Sequence, residues 1–243
     1  DKSTGIFAQN AGVSTSTGKI SATGAAVKAM VADNSKVTSS GQIDVTGTSL
    51  SPTDGSAALL AVNKGTITHT GGGTINVSNS GSAGAVGQGG TVDITGGTIS
   101  SADGALNAYA SGGGTVKLNG TKIDTGQKSL AFFADGGQIN FTGATTANIA
   151  GGTDPSTRGT AFYFKGSGYS PFTASDITSW AGSTFGGTIG QLTLNMASGS
   201  RLFIASDVSM NLSDTAGTGL AGALGANIVG TDYKTFMLYL SKL

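Results

Sequence analysis

The chain has 243 residues, of which 42 are glycine and only 3 proline, and its 13 basic and 13 acidic residues give a formal net charge of zero. So much glycine with so little proline excludes collagen and proline-rich disorder, and hydrophobic residues at 37% exclude a highly charged disordered segment. We expect no nucleic-acid partner because the charges balance, no direct membrane insertion by this fragment because no apolar run approaches roughly 18 residues, and no disulfide or thiol chemistry because cysteine is absent.

Three short β runs recur in a fixed order from the start of the chain to about residue 150. In the second run, Val92, Val116 and Ile139 are separated by 24 and 23 residues, and longer intervals occur where Gly-rich or Pro-containing segments are inserted. We predict that one column of the second run faces inward: Val13, Val37, Ile67, Val92, Val116 and Ile139. The third run supplies another column: Ile20, Ile43, Ile75, Ile99, Ile123 and Ile149.

The runs alternate apolar and polar residues, as in 91–95 (TVDIT) and 115–119 (TVKLN), which is typical of strands with one buried face. Three such runs in a repeat of about 24 residues, each bounded by turn-forming residues, fit one coil of a stacked solenoid. The sequence therefore predicts an all-β fold, a right-handed parallel β-helix with three sides, formed by residues 1–243 as a single β-helix segment.

The first run of the repeat carries aromatic residues at the same spacing. Tyr109 and Phe133 are 24 residues apart, and Tyr163 follows in the next repeat. These rings could form either an exposed ladder for sugar stacking or a stack inside the solenoid. Phe7 and Val31 occupy the same column in earlier repeats and favour the interior.

Few residues in the repeats could support catalysis or metal binding. His69 is the only histidine, and because the glycines 71–73 follow it, we expect it at a solvated turn. The outward acids Asp44 and Asp93 fall on different runs, and Asp93 pairs with Lys117 as a cross-coil surface contact. We predict no catalytic residue, no metal and no cofactor.

The repeat is interrupted after residue 164. An irregular insertion is predicted at about residues 165–187, and it concentrates four aromatic residues: Tyr169, Phe172, Trp180 and Phe185. We name these four as candidate ligand-binding residues, since aromatics on a rigid scaffold are typical of recognition surfaces. The alternative, which we favour, is that they pack along the wall of the solenoid.

Regular strands are predicted again at 191–196, 201–204 and 233–240. Between them, residues 217–222 (GTGLAG) match the glycine spacing of a dinucleotide-binding loop. The match lacks the acidic residue about 20 positions later that such a loop requires, and a chance match is expected in so glycine-rich a chain.

The repeats at 5–10 (GIFAQN), 90–99 (GTVDITGGTI) and 104–110 (GALNAYA) resemble the passenger domains of bacterial autotransporters, the type V secretion adhesins. The resemblance extends over about residues 5–212. It implies a β-helical passenger displayed on the bacterial cell surface or released outside the cell, with a host or bacterial cell-surface protein or glycan as its partner.

The resemblance also implies a binding module and not an enzyme. Because parallel β-helices also include polysaccharide lyases and glycoside hydrolases, an enzyme of that kind is the alternative. It would need two carboxylates across one cleft.

Overall fold

A computed structural model describes residues 4–47, 55–165, 171–172, 174–206, 209–210 and 218–239. In chain order the strands are β1 (Thr4–Gln9), β2 (Val13–Ser16), β3 (Ile20–Gly24), β4 (Lys28–Asp33), β5 (Lys36–Ser39), β6 (Ile43–Gly47), β7 (Ser56–Val62), β8 (Thr66–His69), β9 (Thr74–Ser78), β10 (Ser82–Gln88), β11 (Thr91–Thr95), β12 (Thr98–Ala102), β13 (Leu106–Ser111), β14 (Thr115–Asn119), β15 (Lys122–Thr125), β16 (Leu130–Asp135), β17 (Gln138–Phe141), β18 (Thr145–Ile149), β19 (Thr160–Lys165), β20 (Pro171–Phe172), β21 (Leu192–Met196), β22 (Arg201–Ser206), β23 (Ser209–Met210), β24 (Asn227–Val229) and β25 (Lys234–Tyr239). The described helices are α1 (Ala174–Phe185), α2 (Thr218–Leu224) and two 3-10 turns, Pro155–Thr157 and Ile189–Gln191.

Three parallel sheets form the sides of a solenoid, which confirms the predicted β-helix. Sheet A contains nine strands in the order β1, β4, β7, β10, β13, β16, β19, β22 and β25. Sheet B contains β2, β5, β8, β11, β14 and β17, and sheet C contains β3, β6, β9, β12, β15, β18, β21 and β24. Through the first six coils the chain visits A, B and C in turn, so each of these coils adds one strand to each side.

The predicted inner column of sheet B is confirmed from the second coil onward. Val37, Ile67, Val92, Val116 and Ile139 align in register and are buried. The prediction for Val13 is wrong, because Val13 aligns with Lys36 and is 74% exposed, while Ser14 aligns with Val37. A one-residue shift in register turns every side chain of a strand to the opposite face. The shift occurs in β2, which forms one edge of the sheet.

The predicted inner column of sheet C is confirmed except at its last member. Ile123 aligns with Ala147, and Ile149 aligns with Thr125 two residues further along the strand. Ile149 and Thr125 are both buried, so Ile149 still faces the core but in the neighbouring column.

Helices replace sheet B in the last two coils. Where earlier coils have a sheet B strand, β20 and α1 connect β19 to β21, and β23 and α2 connect β22 to β24. Strands β20 and β23 pair in parallel, and α1 packs against both β17 and α2. The backbone N–H of Phe141 in β17 donates to Thr188 Oγ1 at 2.9 Å. The segment after α1 thus provides a hydrogen-bond partner for a backbone group at the edge of sheet B.

The interval predicted as an irregular insertion at about residues 165–187 thus contains a regular helix. Ile177, Ala181 and Phe185 are buried at helical spacing and turn one face of α1 to the core. Within the part of the chain that the structure describes, no helix is long and apolar enough to cross a membrane.

His69 is buried, and the prediction of a solvated turn is wrong. Its side chain lies in an inward column of sheet B between Ser39 and Ile94, it is 1% exposed, and its Nδ1 lies 2.7 Å from Ser39 Oγ. The glycines 71–73 form the turn that follows it. The alternation of β8 therefore places His69 inside, two residues after the buried Ile67.

We expect this histidine to make the fold sensitive to mild acid. Burial lowers the pKa of His69 from its usual value of 6.5. Between the lowered pKa and 6.5 the unfolded chain binds more protons than the folded chain, so the free energy of unfolding decreases as the pH falls through that window and levels off below it. Urea unfolding between pH 7.5 and 5 measures this decrease. The variant His69→Leu, which places the same residue type as Leu118 in this column, should remove the decrease in stability. If its stability depends on pH as the wild type's does, the decrease does not come from His69.

A buried asparagine joins sheets A and C inside the solenoid. Asn107 is fully buried in β13, and its Oδ1 accepts hydrogen bonds from Ser101 Oγ and Thr125 Oγ1, each at 2.8 Å. Its Nδ2 donates to the carbonyl oxygens of Ile99 at 3.0 Å and Asp124 at 3.3 Å. All the hydrogen-bonding groups of the amide are thus satisfied.

Candidate functional site

The strands of sheet A from β4 to β22 interrupt the alternation of a regular strand. In β16, Ala131 and Phe132 are adjacent and both buried in the core, whereas Phe133 and Asp135 face outward. Equivalent residues of neighbouring coils pair with each other, so the same pattern repeats from strand to strand along the sheet. Two neighbouring inward residues leave a stretch of backbone without an outward side chain.

The residue after this inward pair forms an apolar column on the outer face of sheet A. Its described members, in coil order, are Phe7, Val31, Leu60, Val86, Tyr109, Phe133, Tyr163 and Ile204. The prediction that Tyr109, Phe133 and Tyr163 stack in the interior is wrong, because the core positions belong to the preceding residues, such as Phe132 and Phe162. Because two adjacent residues point inward, the next residue, which carries the aromatic ring, points outward instead of into the core.

A groove runs along this face between two outward columns. Ala57, Ala83 and Val86 form a cluster separate from the core, and Leu60, Leu106 and Tyr109 pack against it. Together with residues at its edges, they line a groove of about 350 Å³. Lys28 lies at one edge and donates to the carbonyl oxygen of Gly55. The lining is therefore mainly aliphatic and aromatic.

The aromatic rings of the column contact each other along the solenoid axis. Tyr109 and Phe133 are stacked, with centroids 5.1 Å apart and planes at 25°, and Phe133 meets Tyr163 edge-to-face at 4.7 Å. The hydroxyl of Tyr163 lies 2.9 Å from Ser206 Oγ. Beside the column, Lys165 Nζ forms an exposed ion pair with Asp135 at 2.9 Å. The stacked rings turn their faces to one another and leave mainly their edges for a partner.

The four candidate ligand-binding residues of the insertion do not form a single exposed surface among the described residues. Tyr169 lies outside the described residues, and Phe172 belongs to β20, where it pairs with Met210. Trp180 is half-buried and meets Phe162, Phe164, Phe185 and Phe203 with ring centroids 5.3 to 6.0 Å apart. Phe185 is buried. These contacts agree with the packing alternative, and ligand binding by the four residues stays a prediction.

The outward acids lie on different sides of the solenoid. Asp44 is on sheet C and Asp93 is on sheet B, where it aligns with Lys117. Partial burial would raise the pKa of Asp44, but hydrogen bonds from Asn76, Lys19 and Gln42 outweigh it and lower the pKa to about 2. Asp44 is therefore ionised near neutral pH, whereas the proton donor of a glycosidase pair has a raised pKa.

Sequence reasoning missed the outer face of sheet A, although a signal for it was present. The residue after each outward apolar position is small and faces inward in most coils: Ala8, Ala32, Ala61, Gly87, Ala110, Ala134 and Ala205. A large residue followed by a constant small one indicates that the small residue fits the crowded core and that the large one points outward.

Within the described ranges, no group of three or more His, Cys, Asp or Glu side chains could hold a metal ion. Comparison with known proteins gives no matching family model, no similar curated sequence and no similar solved structure.

Proposed function

We propose that this chain is a binding module of a surface-displayed or secreted bacterial adhesin, and that it contacts a protein on another cell through the outer face of sheet A. The observation that supports this most is the apolar column from Phe7 to Ile204, which continues through successive coils without a charged residue. The outward positions of sheets B and C are mainly Thr, Ser, Asn, Asp and Lys, as in β11 and β15.

The dimensions of this face suit a protein partner. The eight described members of the column, one in each successive coil at a spacing of about 4.8 Å, extend roughly 34 Å along the solenoid axis. The column is bordered by the charged side chains of Lys28, Asp135 and Lys165, so it can form the apolar centre of an interface with a polar rim. This is sufficient for a modest interface centred on a few large side chains.

The arrangement of the rings favours apolar protein side chains over sugars. A sugar stacks on an open aromatic face, but Tyr109 and Phe133 stack on each other. The groove beside them is lined by Ala57, Leu60 and Ala83, which can surround aliphatic or aromatic side chains of a partner.

Display outside the cell is proposed from the sequence. The repeats resemble autotransporter passengers, and the chain contains no cysteine, which accords with export through a narrow pore in an unfolded state. A rigid stack of coils would hold the face of sheet A in a fixed shape, and preorganisation of this kind lowers the entropy cost of binding.

Substitution of Leu60 by Lys tests the proposal. Leu60 is half-buried at the edge of the groove, so the new ammonium group can reach water and the fold should remain intact. We expect binding of the fluorescently labelled domain to bacterial or host cells to weaken at least tenfold, which corresponds to about 1.4 kcal/mol. Flow cytometry over a range of domain concentrations measures the affinity.

The matched control is Thr91→Lys, a half-buried outward residue of sheet B. It adds the same charge on another side of the solenoid and should leave binding unchanged. Equal weakening by both variants, or no saturable binding of the wild-type domain to any cell, would contradict the proposal.

A further inference from the structure

The outer face of sheet C carries a continuous ladder of polar side chains. Asn148 Nδ2 donates to Asp124 Oδ1 at 2.7 Å, and Asn195 Nδ2 donates to Asn148 Oδ1 at 2.8 Å. The three residues align in register on β15, β18 and β21. Their side chains thus follow the solenoid axis at the spacing of the coils, about 4.8 Å.

A groove of about 630 Å³ lies along this ladder. The ladder residues line the groove together with neighbouring small residues: Gly126, Ala150, Ala197 and Gly230. Val229 continues the column after Asn195, lines the same groove and is 52% exposed. The groove therefore combines a row of hydrogen-bonding groups with an apolar floor.

The groove has no net charge along the ladder. Lys122 Nζ lies 2.8 Å from Asp124 Oδ2, so the carboxylate is neutralised beside the groove. Asn148 and Asn195 each have a second amide N–H that is not used within the ladder. Asn195 Oδ1 also accepts no hydrogen bond within the ladder. The two asparagines thus offer a ligand two neutral amide donors and the amide oxygen of Asn195.

We propose that this groove binds a neutral, extended oligosaccharide that lies parallel to the solenoid axis. One coil advances by a length close to that of one hexose unit, so successive sugars would meet successive ladder residues. Hydroxyl groups would hydrogen-bond to Asn148 and Asn195, and the C–H surface of the sugars would rest on Ala150, Ala197 and Val229. The lack of net charge along the ladder matches a ligand without carboxylate or sulfate groups.

Purified oligosaccharides test this inference without cells. The probes are linear hexasaccharides of β-1,4-linked glucose, mannose and N-acetylglucosamine, with hexagalacturonate as the acidic comparison, titrated by calorimetry. We expect saturable binding of at least one neutral probe. The variants Asn195→Leu and Ala150→Phe, which remove a ladder amide and fill the groove, should each weaken that binding at least tenfold.

The chain offers a closely matched control. Asn76 Nδ2 donates to Asp44 Oδ1 at 2.7 Å in the same column, as Asn148 does to Asp124, but Asn76 does not line the groove. Asn76→Leu should therefore bind the probe normally, and so should Leu60→Lys on sheet A. Thermal melting confirms that each variant folds. No binding of a neutral probe at millimolar concentration, preference for hexagalacturonate, or equal loss in Asn76→Leu would overturn the inference while leaving the proposed role of sheet A intact.

Discussion

Replacement of Val116 by Asp is expected to destabilise the fold by about 4 kcal/mol or more, because an apolar column offers a carboxylate no hydrogen-bond partner. Val116 is fully buried in sheet B between Val92 and Ile139, which align with it in the coils on either side. Urea unfolding followed by circular dichroism measures the change in the free energy of unfolding. The strand that carries Val116 belongs to the middle of the stack, so the loss affects coils on both sides.

The neighbouring residue provides the control for this prediction. Thr115 is half-buried and points outward from the same strand, so Thr115→Asp should change the stability by less than about 0.5 kcal/mol. A small effect of Val116→Asp together with a large effect of Thr115→Asp would show that the faces of sheet B are assigned the wrong way round.

Replacement of Asn107 by Leu is expected to cost about 3 kcal/mol, although the two side chains have similar size. The change leaves the hydroxyl groups of Ser101 and Thr125 without the amide, as well as the buried carbonyl oxygen of Ile99 and the partly buried one of Asp124. Buried polar groups that lose their partners cost about 1 to 3 kcal/mol each. Thermal melting and urea unfolding of the variant measure the loss.

A triple variant separates lost hydrogen bonds from altered packing. Combining Asn107→Leu with Ser101→Ala and Thr125→Val removes the stranded hydroxyl groups, so it should recover part of the lost stability. If Asn107→Leu unfolds at the same urea concentration as the wild type, the network contributes nothing to stability and the expectation is wrong.

The sequence predicts the inner columns of sheets B and C because their strands alternate strictly. Val92, Val116 and Ile139 recur at nearly constant spacing and are flanked by polar residues, and each is buried. The first coil is different, since β2 has a neighbouring strand on only one side. With less burial to fix the register, the position of Val13 did not follow from the periodicity.

The outer face of sheet A did not follow from alternation. The pair Ala131 and Phe132 places two successive residues inward, so a period of two assigns Phe133 to the wrong face. Helix α1 was missed for another reason: Ile177, Ala181 and Phe185 have helical spacing, but the break in the repeat led us to treat the whole segment as an irregular insertion.

The most direct test of the role of sheet A is site-specific photo-crosslinking on cells. A photoreactive phenylalanine analogue replaces Tyr109 in the apolar column, and in a second variant it replaces Thr91 on the outer face of sheet B. After irradiation of the bound domain, the proposal predicts a discrete crosslinked protein from position 109 and none from position 91. Crosslinking from position 91 alone, or equally from both positions, would contradict it.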